Sequence, residues 1–149
     1  MNEYIICREL MQNCFSDLWT LYLTLIGILL SILTLLYSFI IGKKDELKLI
    51  AEQIKLDGIT PLVNQRKNFA ISYIRRLSGI NKKCFVLLLI SITMDVLCWV
   101  GMRLSFFFDN TTTLLWLLVI TILFTILIGG YTVYLGYKLI KQYMSDTKI

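Results

Sequence analysis

The chain has 149 residues, of which 57% are hydrophobic and only 17% are charged, with a formal net charge of +5. A soluble domain has about half apolar and about a quarter charged residues. The chain has no histidine, the commonest general base and metal ligand, and its four cysteines form no CxxC motif. No nucleophile–base pair is visible either. The composition therefore argues against an enzyme and against a metal or other cofactor, and it favours a membrane protein.

Three long apolar runs occupy residues 18–41, 84–108 and 114–137. The first and third carry no charge, and the second carries only Asp95 and Arg103. A helix needs roughly 20 apolar residues to cross about 30 Å of hydrocarbon. The first run is longer than a signal-peptide core, and no small-residue cleavage site follows it, so we interpret it as an anchor. The sequence predicts an all-α integral membrane protein with three transmembrane helices.

Residues 4–18 place apolar side chains at three- and four-residue spacing, from Tyr4 and Cys7 to Leu18, and all but the last lie in the predicted outer segment 1–17. This spacing predicts an amphipathic helix that runs directly into the first span. The helix would lie on the outer leaflet or bind a partner. The cysteines are interpreted as small apolar residues, with an intersubunit disulfide at Cys7 or Cys14 as the alternative.

The 42-residue loop, 42–83, is predicted to form a helical hairpin between the first and second spans. Its first helix is expected over 43–56, and the sequence LDGIT then breaks the chain. Thr60 is placed to cap the second helix and Pro61 to occupy its first position. Gly79 is expected to end that helix. One side of it carries the apolar residues Leu62, Phe69, Ala70, Tyr73, Ile74 and Leu77.

Basic residues are distributed unevenly along the chain. The predicted hairpin holds ten of the fifteen, tail 138–149 holds three, and connection 109–113 holds none. Because short basic segments stay on the cytosolic side, we predict a multi-pass protein of the cell inner (plasma) membrane with its N-terminus outside and its C-terminus in the cytosol. Four basic residues that lie off the apolar side of the hairpin are expected to contact anionic lipid head groups, with nucleic acid as a weaker alternative: Arg66, Lys67, Arg75 and Arg76.

Each span carries a stripe of small or polar residues. The first stripe comprises Thr20, Thr24, Gly27, Ser31, Thr34 and Ser38, the second Ser91, Asp95, Cys98, Met102 and Ser105, and the third Thr121, Thr125, Gly129, Thr132 and Gly136. Lipid provides no hydrophobic drive between helices, so close approach depends on small residues and interhelical hydrogen bonds. We therefore expect the helices to pack at Thr24, Gly27, Ser31 and Gly129.

Asp95 lies twelve residues beyond Lys83, which places it near the bilayer midplane. Counting to the same depth on the other spans reaches Ser31 and the segment 125–129. The sequence thus predicts a polar face that either lines a pore or forms interhelical hydrogen bonds, composed of Asp95, Ser91, Cys98, Ser31 and Thr125. Arg103 is predicted to stack on Trp99, one helical turn away.

Two classes of function remain open. In topology, three spans with a basic C-terminal tail resemble the larger phage holins, and the design is similar to small bacterial toxins and anti-phage defence proteins. That resemblance implies a self-assembling effector or channel that permeabilises or depolarises the membrane, working as a homo-oligomer. The alternative is a non-conducting anchor or adaptor whose hairpin recruits a cytosolic protein. No residue roles carry over from these groups.

The predicted orientation can be tested by cysteine labelling in membranes on a cysteine-free background. Because the basic hairpin should remain in the cytosol, Lys67→Cys is expected to react only from that side, and Thr111→Cys only from outside. The reverse pattern would overturn the orientation.

Overall fold

The computed structural model describes residues 2–107 and 111–146 and contains three helices there: α1 over Asn2–Asp57, α2 over Pro61–Phe107 and α3 over Thr111–Asp146. At 1.5 Å per residue they are about 84, 70 and 54 Å long. Each contains a stretch long and apolar enough to cross a membrane, within Arg8–Leu56, Pro61–Leu104 and Thr112–Lys141. The prediction of three long apolar helices is confirmed.

The chain divides into two compact units. The three-helix unit combines α1 up to Ile28, α2 from Leu87 onward, and α3. The two-helix unit, Leu29–Val86, contains the rest of α1, the turn after it and the first part of α2.

A tight turn joins α1 to α2. Gly58 has a positive φ of 78°, which a residue without a side chain adopts at no steric cost, and its N–H donates to the Ile54 carbonyl at 3.1 Å. The hydroxyl oxygen of Thr60 accepts a hydrogen bond from the Val63 N–H at 3.4 Å, and Pro61 is the first residue of α2. The predicted break, cap and proline position are therefore confirmed.

The predicted helix end at Gly79 is wrong, because α2 continues through this residue without interruption. A glycine ends a helix when it adopts the left-handed conformation, and Gly58 alone among the described glycines does so. A glycine inside a helix costs only about 1 kcal/mol relative to alanine. Leu77, Ile80 and Cys84 are buried on both sides of Gly79, and their packing outweighs that cost.

Buried residues recur at intervals of seven in all three helices, and we call each such row a seam. The seam of α1 contains Phe15, Tyr22, Leu29 and Leu36, and it resumes at Ile50 after the half-buried Lys43. The seam of α2 contains Val63, Ala70, Leu77, Cys84, Ser91 and Cys98, and that of α3 contains Leu114, Thr121, Ile128 and Leu135. A strict seven-residue repeat is typical of helices that pack as a left-handed coiled coil.

The N-terminal part of α1 packs against α2 through Phe15. This side chain is fully buried, and a Cβ added to Gly101 would lie 2.8 Å from Phe15 Cε1. Met11, one turn earlier, is also buried. The structure thus differs from the outer-leaflet interpretation at these two residues, because protein covers their side chains. The side chains of Tyr4 and Cys7 lie outside the described part of the chain.

We expect Gly101→Ala to lower the thermal stability of the purified protein in detergent, measured by tryptophan fluorescence. The added methyl group would push against the Phe15 ring, and overpacking of this kind costs about 1–3 kcal/mol. Gly129→Ala is the matched control, because nothing lies within 4 Å of its added Cβ.

Adding Phe15→Leu to Gly101→Ala should recover part of the lost stability by making room for the methyl group. Equal melting temperatures for the two alanine variants would show that Phe15 does not require a glycine at position 101.

Candidate functional site

Asp95 is partly buried on α2, and its carboxyl group is hydrogen-bonded to the Trp19 side chain on α1. The indole N–H can only donate, so the carboxyl group is the acceptor. The second oxygen, Oδ1, is shielded from solvent and has no hydrogen-bond partner among the described residues. A buried acceptor of this kind costs about 1–3 kcal/mol when it is left unpaired. The structure therefore places half of the carboxyl group in an interhelical bond and leaves the other half unsatisfied.

Sequence reasoning missed Trp19 as the partner of Asp95. Ser31, the residue predicted at the depth of Asp95, lies twelve residues beyond Trp19 on α1, which corresponds to about 18 Å along a helix. The position of the turn could have identified Trp19. Trp19 lies 40 residues before Ile59 and Asp95 lies 36 residues after it, so the two residues are at a similar distance from the turn.

A second interhelical hydrogen bond joins α1 to α3, where Tyr22 Oη lies 2.7 Å from Thr125 Oγ1. Thr125 uses its only hydroxyl hydrogen in a 2.7 Å bond to the Thr121 carbonyl, so Tyr22 must be the donor. Tyr22 is fully buried on the α1 seam. Thr125 was predicted as a polar-face residue, but its partner is an aromatic hydroxyl and not Asp95.

Most other hydroxyl groups of the three stripes bond to their own helices. They donate to a carbonyl three or four residues earlier at 2.8–3.0 Å, as seen for Thr20, Thr24, Thr34, Ser91, Thr121 and Thr132. A hydroxyl that spends its hydrogen in this way can only accept further bonds. These residues therefore do not donate hydrogen bonds between helices.

The remaining predicted site residues divide into buried and exposed groups. Ser91 and Cys98 are fully buried on the α2 seam, beside Asp95 on the same face. Gly129 is exposed, and no described residue of another helix lies within 4 Å of a Cβ added to it, so it makes no close helix contact in the described part of the chain. The Ser105 side chain lies outside the described residues.

The small-residue stripe of α1 faces away from the seam. All six of its members are exposed: Thr20, Thr24, Gly27, Ser31, Thr34 and Ser38. Their spacings of three and four residues keep them on one side of the helix. In the three-helix unit, an open groove of about 500 Å³ follows this side and is lined by Asp17, Thr20, Leu21, Thr24, Leu25 and Ile28. The predicted packing residues Thr24, Gly27 and Ser31 thus point outward.

Arg103 lies with its guanidinium carbon 5.7 Å from the centre of the Trp99 ring. This contact confirms the predicted cation–π pair. Each of the two charged residues in the second apolar run thus has a tryptophan as its partner: Arg103 contacts Trp99, and Asp95 is hydrogen-bonded to Trp19.

The two-helix unit carries charged groups on its surface. Lys43 and Lys48 pair with Glu46 and Asp45 respectively, and the Asp45 carboxylate raises the pKa of Lys48. The Lys43 ammonium also lies 5.8 Å from the centre of the Tyr73 ring, which joins the two helices of the unit. The four predicted head-group ligands are exposed on α2: Arg66, Lys67, Arg75 and Arg76.

The chain matches no protein-family model, no curated protein and no solved structure. Its fold defines an all-helical protein with three helices of membrane-spanning length and character.

The Trp19–Asp95 bond can be tested by a double-mutant cycle. Asp95→Leu should destabilise the protein by roughly 0.6–2 kcal/mol, the range for polar contacts between membrane helices. Asp95→Asn, which can still accept from the indole, should be nearly silent. Unfolding in detergent–denaturant mixtures would measure these differences.

If the two side chains interact only with each other, Trp19→Phe should have a smaller effect in the Asp95→Leu background than in the wild type. Additive effects of Trp19→Phe and Asp95→Leu would contradict the bond.

Proposed function

We propose that the chain is a homo-oligomeric effector of the plasma membrane that permeabilises or depolarises it, with the exposed stripe of α1 lining the path. The N-terminus lies outside, and the turn between α1 and α2 lies in the cytosol together with the C-terminal tail. The likeness in topology to holins and to toxin or defence proteins supports this class of function. The observation that carries the proposal is the outward direction of the α1 stripe.

The exposed stripe matches the requirements of a membrane path in length and chemistry. From Thr20 to Ser38 it extends about 27 Å, close to the thickness of the hydrocarbon core of about 30 Å. Threonine hydroxyls that have donated their hydrogens to the helix present acceptor oxygens outward. Asp17 adds a negative charge at one end of the groove. Acceptor oxygens together with a carboxylate favour cations over anions.

The seams of a single copy leave little room for such a path in the part of the chain that the structure describes. The seam positions of the three-helix unit hold bulky side chains, including the fully buried Phe15 and Tyr22. Several copies with their α1 stripes turned towards a common axis would instead place the hydroxyl rows opposite one another. The small side chains would allow close approach of neighbouring α1 helices at the edges of the path.

Asp95 has a different role in this proposal from the pore-lining role considered from sequence. Its hydrogen bond to Trp19 joins α1 to α2 within one copy. We propose that Asp95 holds α1 in the orientation that turns the stripe outward. Its substitution by leucine would then impair conduction indirectly, through assembly.

The adaptor alternative has its own support in the exposed surface of the two-helix unit. Arg66, Lys67, Arg75 and Arg76 are all exposed, as a surface for an acidic partner requires. In that case the spans would serve only as an anchor, and self-association would be dispensable.

Ion flux in liposomes separates the two functions. Wild-type protein should release a trapped cation faster than a trapped anion. Gly27→Leu with Ser31→Leu should reduce both flux and the oligomer population in detergent, because the larger side chains keep neighbouring backbones apart. Gly129→Leu, an exposed glycine on α3, is the matched control and should retain both.

A thiol reagent on Thr24→Cys in a cysteine-free background should block the flux, whereas the same reagent on Leu127→Cys, exposed on α3, should not. Correctly oligomerised wild-type protein without any flux would exclude the channel and leave the adaptor. An unchanged oligomer in the Gly27→Leu/Ser31→Leu variant would remove α1 from the contact.

A further inference from the structure

The two-helix unit exposes a row of large apolar side chains that its seam does not use. We call this row the apolar ridge; it consists of Leu49, Leu56, Ile59, Leu62 and Phe69. Their exposed fractions run from 56% for Phe69 to 85% for Leu56. Exposed apolar patches of this kind mark interaction surfaces more often than isolated exposed residues do.

The ridge lies along one side of the unit. Leu62 and Phe69 directly precede the buried seam residues Val63 and Ala70, and Leu49 precedes the buried Ile50. Leu56 lies seven residues after Leu49, and Ile59 lies in the turn. The two helices of an antiparallel pair are related by a two-fold axis perpendicular to both. Residues that directly precede a seam position on either helix therefore lie on the same side of the pair. The Lys43–Tyr73 contact across the pair fits this antiparallel arrangement.

Basic residues accompany the ridge on α2. Arg66 lies between Leu62 and Phe69, and Arg76 follows Phe69 by one seven-residue interval; both are exposed. The segment 42–83 holds ten basic and four acidic residues, a net charge of +6. A second copy of this surface would bring like charges together, so the ridge requires an anionic counterpart.

We infer that the ridge docks into the head-group region of an anionic bilayer. Large apolar residues combined with arginines and lysines are the pattern of helices that lie at a membrane interface. The segment continues into an apolar helix at both ends, so in the proposed membrane location a lipid surface is the apolar phase available to the ridge. This docking adds insertion of apolar side chains to the head-group contact expected for the basic residues. It does not depend on conduction.

The test uses the full-length protein in vesicles, with a single cysteine carrying an environment-sensitive fluorophore. Phe69→Cys reports on the ridge. Ile71→Cys is the matched control, because this isoleucine is 37% exposed and follows Ala70, on the other side of the seam. Nitroxide lipids in the bilayer should quench the label at position 69 several-fold more strongly than at position 71. The difference should require phosphatidylglycerol mixed with phosphatidylcholine, and it should shrink at high salt.

In a second arm, the nitroxide lipid is placed only in added protein-free vesicles, so quenching then reports docking on an opposing bilayer and not on the bilayer that holds the protein. Quenching by lipid in either bilayer supports docking on lipid. Arg66→Glu with Arg76→Glu should abolish the extra quenching at position 69 while helicity, measured by circular dichroism, stays unchanged. Equal and weak quenching at both positions in every vesicle would overturn the inference and leave an acidic protein as the counterpart of the ridge.

Discussion

The reversal of the chain at residues 58–60 is the constraint on which the contacts between α1 and α2 depend. Two helices joined by so short a turn must run antiparallel, so residues at similar distances from the turn face each other. Lys43 and Tyr73 lie 16 residues before and 14 residues after Ile59, and they are in contact in the two-helix unit. Phe15 and Gly101 lie 44 before and 42 after, and they are in contact in the three-helix unit. A single rule of position thus describes contacts in each unit.

The same rule explains which features the sequence could predict. Local signals identified the apolar helices, the Thr60 cap and the Arg103–Trp99 pair, because each depends on a few neighbouring residues. The partner of Asp95 depends on the register of two long helices. Counting from assumed membrane boundaries selected Ser31, whereas counting from the turn selects the region of Trp19. The predicted helix end at Gly79 separated the hairpin from the span that follows it. Residues of that span were therefore not counted from the turn.

The seven-residue seams also escaped sequence reasoning, for a physical reason. A span that faces lipid on its outer side is apolar all round, so leucines on the seam cannot be distinguished from leucines on the lipid side. Small and polar residues can be recognised in such a span, and the helix-packing prediction was therefore assigned to them. In the structure the α1 seam uses large residues such as Phe15, Tyr22 and Leu29, while the conspicuous residues Thr24, Gly27 and Ser31 are exposed.

Helix α1 therefore carries two rows that both follow a seven-residue repeat, one of large residues and one of small residues, and the two rows meet different surroundings. The row of large residues is buried within the chain. The threonines in the row of small residues have already bonded their hydroxyl hydrogens to backbone carbonyls. The row gains little from facing lipid, since leucine would fill that side with more favourable apolar surface. Against a neighbouring helix the same small residues permit close backbone contact, and against water they offer acceptor oxygens. In the proposed function, additional copies of the chain supply both of these surroundings.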